Sequence, residues 1–196
     1  MRIIHSLRFR VLRTLGLLPT GRSDVLSPAS MRRWIRRQDQ CVIESDLQIR
    51  GASDVLTNIL LGSRVAIDKG CILWLAVEDN ALPMITMGSR VYLGPYSYLG
   101  SYAPLSIGEN TIIGAHSYII TANHRFLPDL PIQDQGYDAA PITIGRDVWI
   151  GCHVVILPGV TIGDGAIIGA GAVVNKNIPP AEKWAGVPAR KLGVRS

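Results

Sequence analysis

The chain has 196 residues, of which 47% are hydrophobic and only 18% are charged. This composition supports one domain with a buried core and argues against disorder over most of the length. No uninterrupted apolar run reaches the roughly 18 residues that a membrane-spanning helix needs. Three scattered cysteines, Cys41, Cys71 and Cys152, show neither a disulfide pattern nor metal-ligand spacing, so we expect a reducing, cytoplasmic location.

The net charge of +5 comes entirely from the N-terminal fifth of the chain. Residues 1–40 carry nine arginines against two aspartates, which is +7, whereas residues 41–196 carry eleven basic and thirteen acidic residues, which is −2. The larger part therefore lacks the basic stripe with interleaved aromatic residues that is typical of nucleic-acid-binding proteins. We predict no nucleic-acid partner.

Two short helices are predicted within residues 1–40. Apolar residues recur at helical spacing over residues 4–18, and a second helix begins at Ser27 as N-cap, with Pro28 at its first position. We interpret this segment as a cap over the open strand edges of the domain that follows. The alternative is a basic amphipathic contact with the anionic inner face of a membrane, and both interpretations stay open.

From about residue 49 onward an aliphatic residue recurs every six positions, with a few breaks. Glycine often follows it, and a small or β-branched residue stands four positions after it. A period of six fits neither a helix nor one long strand. It predicts a parallel β-helix in which each hexamer forms a short strand and a corner, and three hexamers complete a triangular coil. Glycine would supply the unusual backbone angles of the corners. The aliphatic series is Val55, Leu61, Ile67, Leu73, Met87, Leu93, Leu99, Ile107, Ile113, Ile119, Ile144, Ile150, Ile156, Ile162, Ile168 and Val174.

The period is lost between Ile119 and Ile144. Residues 125–140, rich in Pro, Asp and Gln, predict a loop that protrudes from one corner, with His124 at its base. The sequence divides into a basic helical cap at 1–40, a β-helix at 41–180 that carries this loop, and a C-terminal tail at 181–196.

The residue before each aliphatic position faces outward, because it lies between two inward residues. Sorting these residues with three rungs per coil gives three faces, of which the first two are apolar. A soluble monomer rarely exposes such surfaces, so we interpret them as subunit interfaces; since related prisms pack three around an axis, we expect a homotrimer. The first face collects Tyr92, Ile112, Trp149 and Ile167; the second collects Tyr98, Tyr118, Val155 and Val173; the third collects Pro104, His124, Thr161 and Pro179.

The hexapeptide series, with PITIGRDVWIG at 141–151, ILPGVTIGDGAIIGAGAVV at 156–174 and AGVPARKL at 185–192, resembles the left-handed β-helix acetyltransferases. Galactoside, maltose and polysaccharide O-acetyltransferases form this group. The resemblance implies an all-β fold, namely a left-handed parallel β-helix after a short N-terminal α-helical segment. It also implies transfer of an acetyl group from acetyl-CoA to a hydroxyl of a sugar or glycan precursor, with no metal. The HRF…PI…QG loop is most similar to that of capsule and exopolysaccharide enzymes.

The resemblance implies that His124, in TANHRF and seventeen residues before Pro141, is the general base. Imidazole suits this task because it can take a hydroxyl proton near neutral pH while the oxygen attacks a thioester. The oxyanion would then need a donor, which we expect from a backbone N–H in the turn from Trp149 to Cys152.

Coenzyme A contacts are carried over from the galactoside enzymes by their motifs. Lys176 and Arg190 would pair with phosphates, and Trp149 would form a wall near the thioester. The plainer alternatives are that Ala170 only holds a corner and that Lys176 is a solvated charge, while nothing in the sequence would activate Cys152 as a nucleophile. The implied contacts are Trp149, Gly151, Cys152, Ala170, Asn175, Lys176 and Arg190.

Two departures prevent a transfer of acceptor specificity. The substrate-binding Asn of the galactoside group is replaced by the stretch 94–96, and its acceptor-binding Asp is missing at about Tyr102. The group that orients His124 also stays open, with Asp129, Asp138 and a backbone carbonyl as candidates.

A zinc enzyme of the gamma carbonic anhydrase type is the main alternative, because that group shares the prism and binds zinc through three histidines across subunits. His116 and His153 occupy equivalent corners one coil apart and could stack, with His124 as a third candidate. The spacing resembles that family poorly. A non-catalytic β-helix scaffold is the other alternative.

Overall fold

The computed structural model describes residues 24–25, 39–51, 55–76 and 85–196. The two helices predicted within residues 1–40 lie outside these residues. Over the part that is described, the chain winds into a parallel β-helix whose three sheets run along the sides of a prism. Successive coils pair in parallel and in register, as Tyr92 does with Ile112, and Ile112 with Trp149. No helix among the described residues is long and apolar enough to cross a membrane.

Each sheet takes one strand from each coil. The sheet of the first face contains β2 (Val42–Ile43), β5 (Ala66–Ile67), β8 (Tyr92–Leu93), β11 (Ile112–Ile113), β16 (Trp149–Ile150), β19 (Ile167–Ile168), β21 (Glu182–Ala185) and β22 (Arg190–Val194). The sheet of the second face contains β1 (Asp24–Val25), β3 (Gln48–Gly51), β6 (Ile72–Leu75), β9 (Tyr98–Ser101), β12 (Tyr118–Ile120), β17 (Val155–Ile156) and β20 (Val173–Val174). The sheet of the third face contains β4 (Ile59–Leu61), β7 (Ile85–Met87), β10 (Leu105–Ile107), β15 (Ile142–Ile144) and β18 (Thr161–Ile162).

The core consists of the two inward residues of each rung, as the period predicts. The aliphatic residues of the series from Ile67 to Val174 are buried, and so are the smaller residues four positions after them. Each fully buried aliphatic side chain contributes about 1.5–3 kcal/mol, so stability accumulates coil by coil. The buried smaller residues are Val65, Cys71, Val91, Ser97, Thr111, Ser117, Val148, Val154, Val160, Ala166 and Ala172.

The glycines that directly follow the aliphatic residues serve a different purpose from the one expected, whereas Gly70, Gly165 and Gly171, three positions after an aliphatic residue, have positive φ as expected. Gly114 and Gly151 do not have positive φ; the positive angles belong to residues two positions later, such as His116 and His153, both at 57°. A Cβ on Gly114 would instead lie 2.6 Å from the backbone nitrogen of Cys152 in the next coil. Glycine is therefore required because adjacent coils approach too closely for any side chain.

Every departure from the six-residue spacing occurs at one edge of the prism. The described strands keep that spacing from the third to the first face and from the first to the second, whereas extra residues occur where the chain passes from the second face to the third. We call this the loop edge; among the described residues it comprises 55–58, 76, 102–104, 121–141, 157–160 and 175–177. Placing Val55 on a rung was wrong for this reason, because Val55–Asn58 forms a 3-10 turn at the same edge.

The first two predicted faces are confirmed by the strand register, whereas on the third only Thr161 is confirmed. The outward residues of the third sheet are Leu60, Thr86, Ser106, Thr143 and Thr161. Pro104 and His124 lie on the loop edge instead, because insertions there shift the register between one rung and the next. The third face is therefore polar, whereas the other two are apolar.

Both ends of the coil are covered by antiparallel strands. β1, from the N-terminal segment, pairs with the edge strand β3. Residues 181–196, expected as a tail, form a hairpin in which β21 continues the sheet of the first face and β22 folds back over it.

We expect Gly114→Ala to lower the free energy of unfolding by about 1–3 kcal/mol, because the added methyl group meets backbone that cannot move aside. The matched control is Gly193→Ala, whose methyl group would meet only the end of the Lys183 side chain at 3.6 Å. Its effect should stay within about 0.5 kcal/mol. Denaturant unfolding of both variants measures the difference, and equal stabilities would contradict the steric explanation.

Candidate active site

His124 ends β13 (Ala122–His124), which leaves the β-helix at the loop edge and pairs with β14 (Tyr137–Ala139). The two strands form an antiparallel hairpin in which His124 lies opposite Tyr137. The imidazole is exposed to solvent. The predicted protruding loop, with His124 at its base, is therefore present.

Thr121 fixes the backbone from which this hairpin emerges. Its buried hydroxyl oxygen accepts hydrogen bonds from the amides of Tyr102 at 2.8 Å and Ala103 at 2.9 Å, one coil earlier. Its carbonyl accepts from the amide of Ala140 at 2.9 Å, where the chain returns to the coil. The side chain thus ties both ends of the insertion to the rigid prism.

The loop itself is closed by side-chain bonds. The Gln135 side chain accepts from the Leu127 amide at 2.6 Å and donates to the carbonyls of Leu127 and Leu130, at 2.8 and 2.7 Å. Arg125 Nε donates to Asp138 Oδ1 at 2.6 Å. A short 3-10 turn, Ile132–Asp134, completes the fold of the loop.

Tyrosine rings surround the base of the hairpin. The ring of Tyr137 contacts His124, with centroids 4.4 Å apart, and Tyr102, with centroids 4.9 Å apart. On the neighbouring second face, Tyr98 and Tyr118 stack at 4.7 Å. Burial raises the pKa of the Tyr102 phenol to about 12, assisted by the nearby Tyr137 and by a hydrogen bond to it, and burial likewise raises the pKa of Tyr98.

The residues implied in coenzyme A binding form two groups that one chain does not bring together. Asn175 and Lys176 lie on the loop edge, as His124 does, and are exposed. Trp149 lies on the first face with 56% of its surface exposed. The remaining residues adjoin the first-face sheet: Gly151, Cys152 and Ala170 follow its strands, and Arg190 begins β22.

Gly151 and Ala170 lie in neighbouring coils at the edge that joins the first and second faces. We call this the histidine edge; it comprises residues 94–97, 114–117, 151–154 and 169–172. A Cβ on Gly151 would lie 2.6 Å from the Ala170 nitrogen, so the two backbones are in contact. Ala170 itself is exposed at this edge.

The amides of the Trp149–Cys152 turn are partly used by the fold. Trp149 donates to the carbonyl of Ala166 and Gly151 to that of Ile168, at 3.0 and 2.8 Å. Among the described residues, no carbonyl accepts from the amide of Cys152. Within this turn, Cys152 thus offers an N–H that the strand ladder leaves available.

His116 and His153 stack as their spacing predicts, with ring centroids 4.9 Å apart and planes 3° from parallel. Tyr96 extends the stack, 5.2 Å from His116. His124 lies on a different edge, so within one chain it does not join the two other histidines. Among the described residues, no group of three or more His, Cys, Asp and Glu side chains is placed to hold a metal ion.

Family models match the repeat region of the chain. Residues 141–176 match the bacterial transferase hexapeptide (six repeats), and residues 104–121 match the hexapeptide repeat of succinyl-transferase. The resemblance to the hexapeptide-repeat transferases is confirmed. The match at 141–176 contains the Trp149–Cys152 turn, Ala170, Asn175 and Lys176.

Curated relatives of this hexapeptide-repeat chain are acetyltransferases. The chain is 41% identical over 111 residues to the galactoside O-acetyltransferase of Escherichia coli K12, with 54% of each protein covered. It is 31% identical over 115 residues to the putative lipopolysaccharide biosynthesis O-acetyl transferase WbbJ of the same organism, covering 55% of the chain and 59% of the relative. The chain thus spans about half the length of the curated relatives it matches.

A solved structure extends the likeness over the fold. The hexapeptide-repeat-containing acetyltransferase VCA0836 of Vibrio cholerae O1 biovar eltor, complexed with acetyl coenzyme A, is 25% identical and superposes with a TM-score of 0.58. The match covers 96% of this chain and 90% of that one.

The raised pKa of Tyr102 predicts a loss of stability at high pH. The folded state favours the neutral phenol up to about pH 12, whereas an unfolded tyrosine ionises near pH 10. The stability that Tyr102 contributes through its raised pKa is fully present below pH 10 and is lost as the pH rises towards 12. We expect the free energy of unfolding to fall less steeply over this interval in Tyr102→Phe than in the wild type. The free energy of unfolding is measured with denaturant from pH 8, the reference, upwards. Parallel profiles of wild type and Tyr102→Phe would contradict the raised pKa of Tyr102.

Proposed function

We propose that this chain transfers an acetyl group from acetyl-CoA to a hydroxyl of a sugar or glycan precursor, with His124 as the general base. The observation that carries the proposal is the exposed imidazole of His124, held at the base of a closed hairpin on a rigid coil. The names of the curated relatives and the acetyl-CoA complex of the Vibrio structure support the donor and the reaction class. The left hand of the coil is part of the same proposal.

In the proposed reaction His124 takes the proton of the acceptor hydroxyl while the oxygen attacks the thioester carbon. The new C–O bond forms as the carbonyl becomes an oxyanion, which a backbone N–H at the junction would stabilise by donating a hydrogen bond. Collapse of this intermediate breaks the C–S bond, and the sulfur of coenzyme A receives the proton from the imidazolium. The proton balance needs no further group.

A complete site requires two copies of the chain in this proposal. His124, Asn175 and Lys176 lie on the loop edge, whereas Trp149 and its neighbours border the first face. The two apolar faces are adjacent and meet at the histidine edge. Three prisms with their histidine edges towards a common axis would bring the second face of each copy against the first face of the next. Each junction would then carry one loop edge and one Trp149, which is the homotrimer that we propose.

Residues 1–40 and the location of the protein belong to the proposal as well. The nine arginines in this segment suit a contact with the anionic inner face of a membrane, and the protein would otherwise be cytoplasmic. Lipid-linked glycan precursors present their sugars at such a surface, which is compatible with the proposed acceptor class.

The trimer predicts a solution mass three times the 21.3 kDa of one chain. We expect Tyr118→Asp to shift this mass towards the monomer, because a carboxylate would be buried in the junction against Tyr98. Thr143→Asp on the polar third face is the matched control and should leave the mass unchanged. Light scattering measures both, and a stable monomer in the wild type would overturn the trimer.

The general base is tested by His124→Ala, which should lower kcat by roughly 10²–10⁴ while the affinity for coenzyme A stays nearly unchanged. His116→Asn is the matched control, since asparagine tolerates the positive φ of that corner. Free thiol release from acetyl-CoA with a panel of sugars gives the rates. Near-normal turnover of His124→Ala would mean that another group is the base.

Arg190→Ala should have the opposite effect. Its exposed guanidinium begins β22 near the last coil, where it can pair with the phosphates of coenzyme A. We expect weaker coenzyme A binding in a titration, with a smaller change in kcat at saturation. An unchanged dissociation constant for coenzyme A would show that Arg190 does not bind the donor.

A further inference from the structure

We infer that Tyr137 is a positioning residue that holds the His124 imidazole in its working orientation; this inference rests on the proposed function of His124. The two residues are directly opposite each other in the antiparallel hairpin. Cross-strand neighbours in this arrangement share one face of the ribbon, so their side chains meet. The ring centroids are 4.4 Å apart, with the planes tilted by 42°.

Of the two aspartates that the sequence offered for this role, Asp138 is placed elsewhere. Asp138 lies opposite Asn123, on the other face of the ribbon, and its carboxylate binds Arg125 at 2.6 Å. No described side chain donates to or accepts a hydrogen bond from the imidazole of His124. The side chain that contacts the His124 imidazole is the ring of Tyr137.

Tyr137 is itself anchored to the rigid prism. Its ring lies 4.9 Å from that of Tyr102, so the two side chains are in contact. The amide of Tyr102 in turn donates to the buried hydroxyl of Thr121 at 2.8 Å. A continuous series of contacts therefore runs from the coil through Tyr102 and Tyr137 to His124.

This arrangement restricts rotation of an otherwise exposed imidazole. A base that must take a proton from a bound hydroxyl loses rate when its orientation is loose, because reacting groups have to be aligned within a fraction of an ångström. The ring face of Tyr137, rather than a charge, would supply this restriction. It also explains how the site works with Tyr102 at the position of the missing aspartate: the tyrosine there supports the hairpin.

The test compares variants that separate the ring from the hydroxyl. Tyr137→Ala should lower kcat about 10–100-fold while the KM for acetyl-CoA changes less than about twofold, because donor contacts are intact. Tyr137→Phe keeps the ring and should retain most of the activity. Leu60→Ala is the control, since it truncates an exposed large side chain on the third face, away from the proposed junctions; its kcat should be unchanged.

The anchor is tested by a double-mutant cycle. Tyr102→Leu and Tyr137→Leu each remove the contact between the two rings, so we expect their effects on kcat to be non-additive. Additive effects would show that the two tyrosines act independently and would contradict the claim that Tyr102 holds Tyr137 in place.

Nuclear magnetic resonance gives a readout that does not depend on activity. In the free wild-type protein, the imidazole protons of His124 should show a ring-current shift from Tyr137, which Tyr137→Phe preserves and Tyr137→Ala removes. If Tyr137→Ala fails to fold, Tyr137→Leu, which fills the space without an aromatic face, takes its place.

The outcomes distinguish this inference from the proposed function. Normal kcat in Tyr137→Ala or Tyr137→Leu, together with an inactive His124→Ala, would overturn positioning and leave the base intact. Equal losses in Tyr137→Phe and Tyr137→Ala would show that the hydroxyl acts directly and would also overturn positioning by the ring. An active His124→Ala would refute the base itself, whatever the spectra show.

Discussion

The spacing of successive coils, roughly 4.8 Å between paired parallel strands, is the constraint on which the rest of the structure depends. At two edges of the prism it brings backbone so close to backbone that no side chain fits; a Cβ on Gly114, for example, would lie 2.6 Å from the nitrogen of Cys152. These edges cannot accept an extra residue without breaking the stack. Insertions are therefore confined to the loop edge, and the protruding hairpin with His124 is there for that reason.

A rigid coil also determines how well a side chain on an inserted loop can be held. Thr121 ties the start and the end of the insertion to the preceding coil, and Gln135 closes the loop at its tip. The base of the hairpin is thereby part of the scaffold, although the segment that follows is polar and exposed. Function on a loop requires such support, because orientation and not only proximity controls proton transfer.

The division of the prism into two apolar faces and one polar face would determine which surfaces meet in the proposed trimer. Tyr98 and Tyr118 stack along the second face, and Trp149 stands on the first, so the large aromatic residues line the surfaces that adjoin the histidine edge. Residues related to coenzyme A by the family motifs are divided between these surfaces and the loop edge. Such a division is expected of a site that two copies share, since neither surface is complete alone.

The sequence by itself determined the β-helix, its inward residues, the two apolar faces and His124 at the base of a loop, because a period of six leaves few alternatives for which residues point inward. It did not determine the third face or the role of the corner glycines, since both depend on where insertions occur and how closely coils approach. Tyr137 was missed because it lies where the period is lost. Its contact with His124 follows from the hairpin register, which only the tertiary structure decided: cross-strand neighbours are set by pairing across the loop and not by spacing along the chain.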